Sequence, residues 1–102
     1  SADEPITLSL DPMFGNEPLQ VHATVRIDPH YLNYEVCVEW KGEPQEGRGC
    51  WSLSGQYDHR THFYDIKNLP AGEYTVTARL YRVRSSHATP AQTVQSLETP
   101  FK

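Results

Sequence analysis

The sequence has no long hydrophobic run: nothing in it approaches the roughly 18 apolar residues that a membrane-spanning helix requires. It also has no excess of basic residues, because nine Lys and Arg stand against thirteen Asp and Glu, for a net charge of −4. A surface that binds nucleic acid is usually basic. We therefore expect neither membrane insertion nor binding to nucleic acid.

Helical periodicity and catalytic signatures are scarce as well. Apolar residues do not recur at spacings of three and four, so we expect no helix of any length. The sequence has no G-x-S-x-G motif and no glycine-rich phosphate loop. Glu35 and Glu39 would lie about 13 Å apart on one strand face, whereas a glycosidase pair needs roughly 5–9.5 Å. These absences lead us to expect a protein that is not an enzyme, with no catalytic residue and no cofactor.

What the sequence does contain is alternation of apolar and polar residues, interrupted by Pro or Gly every 8–12 residues. Seven short segments show this pattern, at residues 6–10, 21–27, 34–40, 51–53, 64–69, 74–80 and 94–101. Short strands at this spacing are typical of an antiparallel β-sandwich, in which each strand has one face on the core and one in water. The length of 102 residues is that of a single domain, 1–102.

The segment 63–80 resembles the E–F corner of fibronectin type III and related immunoglobulin-like modules. In that corner a strand ends in Leu, a Pro/Gly turn follows, and a Tyr opens the next strand; here these residues are Leu69, Pro70, Gly72 and Tyr74. Residues 34–36 are similar to strand C of the same family. The resemblance implies a seven-stranded antiparallel immunoglobulin-like or fibronectin-type-III-like β-sandwich, and we expect it to be one domain of a larger protein. The disulfide of antibody domains is excluded, since Val76 stands where its second Cys would be.

The two cysteines allow a disulfide, a pair of metal ligands or two unrelated thiols. If Cys37 faces Cys50 in a hairpin, Val36 faces Trp51, and the apolar residues of both strands share one face. A disulfide fits this register best, and it favours an extracellular, periplasmic or cell-surface location. A cytoplasmic location remains if the cysteines are reduced.

A metal site with two cysteine and two histidine ligands would need two histidines in addition to Cys37 and Cys50. His59 and His62 are available, but twelve residues separate the two cysteines where zinc sites usually have two to four. We therefore expect no metal.

Aromatic and basic residues outside the predicted core could form a binding surface in the loops and on the outer face of the sixth strand. These residues are Tyr31, Trp40, Tyr57, His59, Arg60, Arg79, Tyr81, Arg82 and Arg84. Trp40 could be either a lid over the core or an exposed platform. Scattered surface tyrosines and a solvated arginine cluster are the plainer interpretation.

The sequence thus predicts a non-catalytic binding, adhesion or spacer module. One alternative is a carbohydrate-binding accessory domain of an attached enzyme. Another is a protein-interaction module that uses a sheet edge. The expected partners are protein or carbohydrate, together with neighbouring domains of a parent protein.

Overall fold

The computed structural model describes residues 4–100, which fold into nine strands in two sheets. The strands are β1 (Ile6–Asp11), β2 (Phe14–Asn16), β3 (Leu19–Ile27), β4 (Asn33–Lys41), β5 (Glu46–Ser52), β6 (Thr61–Leu69), β7 (Gly72–Arg82), β8 (Ser85–Ala88) and β9 (Gln92–Leu97). A single turn of 3-10 helix, Gly55–Tyr57, precedes β6. No helix among residues 4–100 is long and apolar enough to cross a membrane.

The two sheets differ in size. The smaller has the order β1-β3-β6, and the larger has the order β2-β9-β7-β4-β5, with β8 paired to β7. All pairs are antiparallel except β2 with β9. The architecture is all-β and two-layered, with an immunoglobulin-like general topology.

The core lies between the sheets and follows from the alternation of each strand. In β3 and β7 every second side chain is buried, and the fully buried set includes Val21, Val25, Val76 and Leu80. Burying a Val or Leu side chain contributes roughly 1.5–3 kcal/mol, so this alternation fixes which face of each strand turns inward.

The structure corrects the predicted number of strands from seven to nine. The two unpredicted strands, β2 and β8, are short and consist largely of exposed residues, so neither has the alternation that marks a half-buried strand. β5 begins at Glu46, five residues before the predicted segment 51–53, because Gly47 and Gly49 occupy its inward positions and carry no apolar side chain. Phe101, the predicted end of the last strand, lies outside the described residues.

Tyr34 also departs from its predicted inward position. It is 49% exposed and its ring lies 6.3 Å from that of Tyr81. The pairing of β4 with β7 is irregular between Asn33 and Glu35, and the shift breaks the alternation at this residue.

Tyr74 fastens the turn between the two sheets. Its ring is fully buried, and its hydroxyl donates a 2.6 Å hydrogen bond to the carbonyl oxygen of Pro70. The Glu17 carboxylate accepts from the backbone N–H groups of Ala71 and Thr99, so it ties the same turn to the end of the described chain. Burial, with the negative charge of Glu17, raises the pKa of the Tyr74 phenol above its ordinary value.

We expect Tyr74→Phe to lower the free energy of unfolding at pH 7 by about 1 kcal/mol, because it removes this hydrogen bond. The raised pKa keeps the folded-state phenol protonated at pH values where the unfolded chain ionises. Its stabilising effect is complete below pH ~10 and is lost as the pH rises further. Urea unfolding from pH 7 to 11 should therefore show a steeper alkaline loss in the native protein than in Tyr74→Phe. Tyr57→Phe, at an 84% exposed site, is the control; equal alkaline slopes in all three proteins would contradict this account.

Candidate functional site

The outer face of the larger sheet collects most of the reactive side chains outside the core. Strand pairing aligns them in rows across β5, β4 and β7. One row holds Ser52, Glu35 and Tyr81, the next Cys50, Cys37 and Arg79, and the third Arg48, Glu39 and Thr77. The opposite face of the same strands carries the apolar residues of the core. We call these three rows the outer face.

The two cysteines form a disulfide at the centre of the outer face. Cys37 and Cys50 are direct partners in the β4–β5 ladder, with Cα atoms 4.1 Å apart and an S–S bond of 2.11 Å. This register, with Val36 opposite Trp51, is the one that the apolar alternation predicts. The two ends of the bond differ in accessibility: Cys37 is fully buried and Cys50 is exposed. A solution thiol can thus approach the bond from the Cys50 side.

Arg48 covers the buried sulfur. Its guanidinium lies 3.5 Å from Cys37 Sγ, donates a 3.1 Å hydrogen bond to the Tyr81 hydroxyl, and pairs with the Glu39 carboxylate at 3.3 Å. The Glu39 and Tyr81 contacts hold the cation in place over the sulfur. Arg79 is the β7 partner of Cys37 and adds a second positive charge to this row. A positive charge at this distance favours a thiolate over a thiol.

Glu35 lies on the other side of the disulfide. One of its carboxylate oxygens and both sulfur atoms lie within 4.8 Å of one another. Its negative charge opposes the effect of Arg48 on the sulfur atoms. The disulfide therefore separates an acidic side from a basic side.

A cleft of about 460 Å³ adjoins the basic side. Its lining residues are Glu39, Trp40, Lys41, Glu46, Gly47, Arg48, Thr75 and Thr77. Two acidic and two basic side chains balance each other in this lining, so the cleft suits a polar ligand of low net charge. Arg48 belongs both to the cleft and to the disulfide site.

An aromatic cluster closes the side of the sandwich below β5. The rings of Trp40 and Trp51 lie 6.0 and 6.1 Å from that of Tyr64. Gly47 and Gly49 make room for them, because a Cβ atom at either glycine would overlap the ring of Trp40 or Tyr64. Trp40 is half-buried against the core and donates a hydrogen bond to Gln45 Oε1. The structure thus places Trp40 as a lid on the core.

The other residues of the expected binding surface divide into two places. Arg79 and Tyr81 lie on the outer face beside the disulfide. The rest lie at the end of the sandwich where β3 ends and β4 begins: Tyr31, Tyr57, His59, Arg60, Arg82 and Arg84. There Tyr31 stacks on His30 with ring centres 4.9 Å apart, and Arg82 donates to the side-chain oxygen of Asn33 at 2.8 Å. Nothing in the structure brings this second group against the disulfide.

Sequence reasoning missed Glu35, Glu39 and Arg48 as parts of one site. The signal was available, because the register that pairs Cys37 with Cys50 also places Arg48 opposite Glu39. What the strand pattern could not show is the conformation of the Arg48 side chain. It extends from its own row to Cys37 Sγ in the next row.

No protein-family model matches the chain, and no curated protein matches it. Among solved structures it is similar to the superoxide reductase (neelaredoxin) from Ignicoccus hospitalis, with a TM-score of 0.63 and 10% identity over 94% of this chain and 81% of that one. A variant of that reductase with one substitution gives a TM-score of 0.64 with the same identity and coverage. Likeness at this identity shows the fold alone.

These structures overturn the expected family. The chain is similar to superoxide reductase domains and not to fibronectin type III modules, and its likeness to immunoglobulin-like domains is one of general topology. Alternating strands and a Leu-Pro-Gly-Tyr corner specify only two packed sheets and one turn, which unrelated families share.

The expected function is corrected by the same finding. A binding, adhesion or spacer module was predicted, with carbohydrate binding or sheet-edge recognition as alternatives and with no enzymatic activity; the two similar structures named above are of a reductase, which is an enzyme. The absence of familiar motifs was the wrong ground for that prediction, because catalytic groups can be assembled across strands without a sequence signature.

After reduction, we expect the thiol of Cys50 to react with a bulky maleimide about tenfold faster than that of Cys37, because only Cys50 is exposed. Labelling for increasing times, acid quenching and peptide mass mapping would give both rates. The same protein in denaturant is the control, in which the two rates should converge. Equal rates in the folded protein would show that the two sulfurs do not differ in accessibility.

Proposed function

We propose that the protein is a thiol–disulfide oxidoreductase whose redox group is the Cys37–Cys50 bond. The observation that carries this proposal is the asymmetry of the bond. Cys50 is exposed to an attacking thiolate, whereas Cys37 is fully buried, with the Arg48 guanidinium 3.5 Å from its Sγ. Thiol–disulfide exchange needs an accessible sulfur to attack and a stabilised thiolate to leave, and the two cysteines supply one each.

The similarity to superoxide reductases supports a redox role but not superoxide as the substrate. Reducing superoxide to hydrogen peroxide takes one electron and two protons, and a bound transition metal is an ordinary carrier of a single electron. Within residues 4–100, three metal-ligating side chains come within 4.8 Å of one another only at Glu35, Cys37 and Cys50. With the disulfide closed, the two sulfurs are bonded to each other and are not thiolate ligands.

Two of the histidines are already engaged by neighbouring groups. His22 Nδ1 lies 2.7 Å from an Asp65 oxygen on the smaller sheet. His62 accepts from Trp51 Nε1 through Nδ1, and its Nε2 lies 2.8 Å from the carbonyl oxygen of His59, so both of its ring nitrogens are occupied. Within residues 4–100, the one close group of three donors contains the closed disulfide, so the oxidised protein does not fit a redox-active metal centre there.

The first step is attack by a substrate thiolate on Cys50 Sγ. A bond forms between the substrate sulfur and Cys50 while the Cys37–Cys50 bond breaks, and Cys37 leaves as a thiolate. The electron pair of the broken bond stays on Cys37 Sγ, beside the positive charge of Arg48. Stabilising the leaving thiolate accelerates exchange.

The second step releases the product. A second thiolate of the substrate dithiol attacks its own sulfur in the mixed disulfide, and Cys50 leaves as a thiolate. Both protein thiolates then take up protons released by the two substrate thiols. The net reaction oxidises one dithiol to a disulfide and reduces the protein disulfide to two thiols, with two electrons and two protons transferred. The reverse reaction regenerates the bond.

The cleft beside Arg48 is the proposed place for the substrate chain. Its balanced charges and its two threonines favour a polar, peptide-like thiol over an apolar one. We further propose an extracellular, periplasmic or cell-surface location, which the exposed disulfide supports because such bonds persist in oxidising compartments.

We expect Arg48→Met to slow reduction of the disulfide by dithiothreitol about three- to tenfold, because the Cys37 thiolate loses its positively charged neighbour. Methionine keeps much of the side-chain length, so covering of the sulfur changes less than its charge. Acid-quenched samples, alkylated and analysed by mass spectrometry for the fraction of protein with two free thiols, would give the rate constant. Arg26→Met, an exposed arginine on the smaller sheet, is the matched control and should react like the native protein.

The proposal fails if Arg48→Met and Arg26→Met are reduced at the same rate as the native protein. It also fails if the native disulfide reacts no faster than the disulfide of the denatured chain. In either case the bond would only tether the β4–β5 hairpin, to which it contributes about 3 kcal/mol through the unfolded state.

A further inference from the structure

On the acidic side of the disulfide, Glu35 and the two cysteines form a set of possible metal ligands that the exchange reaction does not use. The Glu35 carboxylate and the two sulfur atoms lie within 4.8 Å of one another. Two thiolates and one carboxylate are a donor set suited to Zn²⁺, which takes sulfur ligands at about 2.3 Å and carboxylate oxygen at about 2.0–2.2 Å. These three donors come from adjacent strands whose register is fixed by seven partner pairs.

The donors are available to a metal only after reduction. In the oxidised protein the sulfur atoms are bonded to each other at 2.11 Å. In a tetrahedral zinc site two sulfurs stand roughly 3.8 Å apart, as follows from two Zn–S bonds of about 2.3 Å. The Cα atoms of Cys37 and Cys50 are 4.1 Å apart, so rotation of the side chains about the Cα–Cβ bonds can open the sulfurs to that distance while the strands stay paired.

The surroundings fit an open site. Cys50 is exposed and Glu35 is half-buried, so a metal can enter from solvent and keep a water molecule in the fourth position. Two thiolates and a carboxylate carry a charge of −3 against +2 for the metal. Arg48, at 3.5 Å from Cys37 Sγ, offsets the excess negative charge.

We propose that the reduced protein binds one divalent zinc ion through Cys37, Cys50 and Glu35, and that formation of the disulfide expels it. Reduction of the disulfide consumes two electrons and two protons, supplied by a dithiol, or by a phosphine together with water, the phosphine ending as the phosphine oxide. Binding of Zn²⁺ to the two thiols then releases two protons. The outer face therefore alternates between a disulfide and a metal site. This inference deepens the proposed function in that it assumes that the bond is opened in use.

The test uses protein produced under reducing conditions and kept in a phosphine reductant without oxygen. A thiol count of two establishes the reduced state before each titration. Zn²⁺ is titrated against a chromophoric chelator, and Cd²⁺ is used as a second probe, because its bonds to thiolate give a charge-transfer absorption in the ultraviolet. We expect one equivalent of either metal in the reduced protein and none in the oxidised protein.

Variants distinguish metal binding at the three proposed ligands from metal binding elsewhere on the protein. Glu35→Gln should weaken Zn²⁺ binding at least tenfold, while Glu73→Gln, an exposed carboxylate on β7, should leave it unchanged. Cys50→Ser should abolish the cadmium–thiolate band or reduce it by half. Equal affinity in Glu35→Gln and native protein, or equal binding by the oxidised form, would overturn the proposed three-ligand site.

The result of the zinc titration does not depend on the thiol–disulfide exchange activity. The phosphine reduces the disulfide without an attacking thiolate from a substrate, so slow reaction with dithiothreitol would remove the proposed function and leave the zinc titration valid. Conversely, fast exchange with no metal bound would overturn the zinc site alone.

Discussion

The pairing of β4 with β5 is the constraint on which the rest of the site depends. Seven consecutive partner pairs fix it, and a shift of one residue would turn every side chain of the shifted strand to the opposite face. In the observed register Val36, Val38 and Trp40 turn inward, and Cys37 meets Cys50 on the outside. Core packing therefore decides the position of the disulfide, since the same alternation that buries valines brings the two sulfurs together. The chemistry of the outer face follows from the packing on the inner face.

Much of this fold could be predicted from the sequence, because its strands have one buried face. The alternation of β3 and β7 locates both strands, and the alternation of β4 and β5 gives the partner of Cys37. β8 could not be found in this way: its residues are largely exposed and it pairs only with the end of β7. The start of β5 was hidden for a different reason, since glycines carry no hydrophobic signal at the positions where they turn inward.

The site was only partly predictable. Its sulfur atoms follow from strand register, and Arg79 and Tyr81 were expected on an outer face. The covering of Cys37 by Arg48 depends on the conformation of a long side chain, held by Glu39 and Tyr81, which no spacing rule encodes. The family could not be inferred at all: a Leu-Pro-Gly-Tyr corner reports how a turn is secured, and Tyr74 secures it here in a chain whose solved neighbours are superoxide reductases.

The glycines of β5 give the two faces of that strand different limits on substitution. At positions 47 and 49 any larger residue meets an aromatic ring, so these sites are closed to variation. Positions 46, 48, 50 and 52 face outward, where a larger side chain meets solvent and not an aromatic ring. At 48 and 50 the side chains contact Cys37, so a substitution there removes a chemical interaction of the disulfide site. One strand thus combines an inner surface limited by packing with an outer surface limited by chemistry.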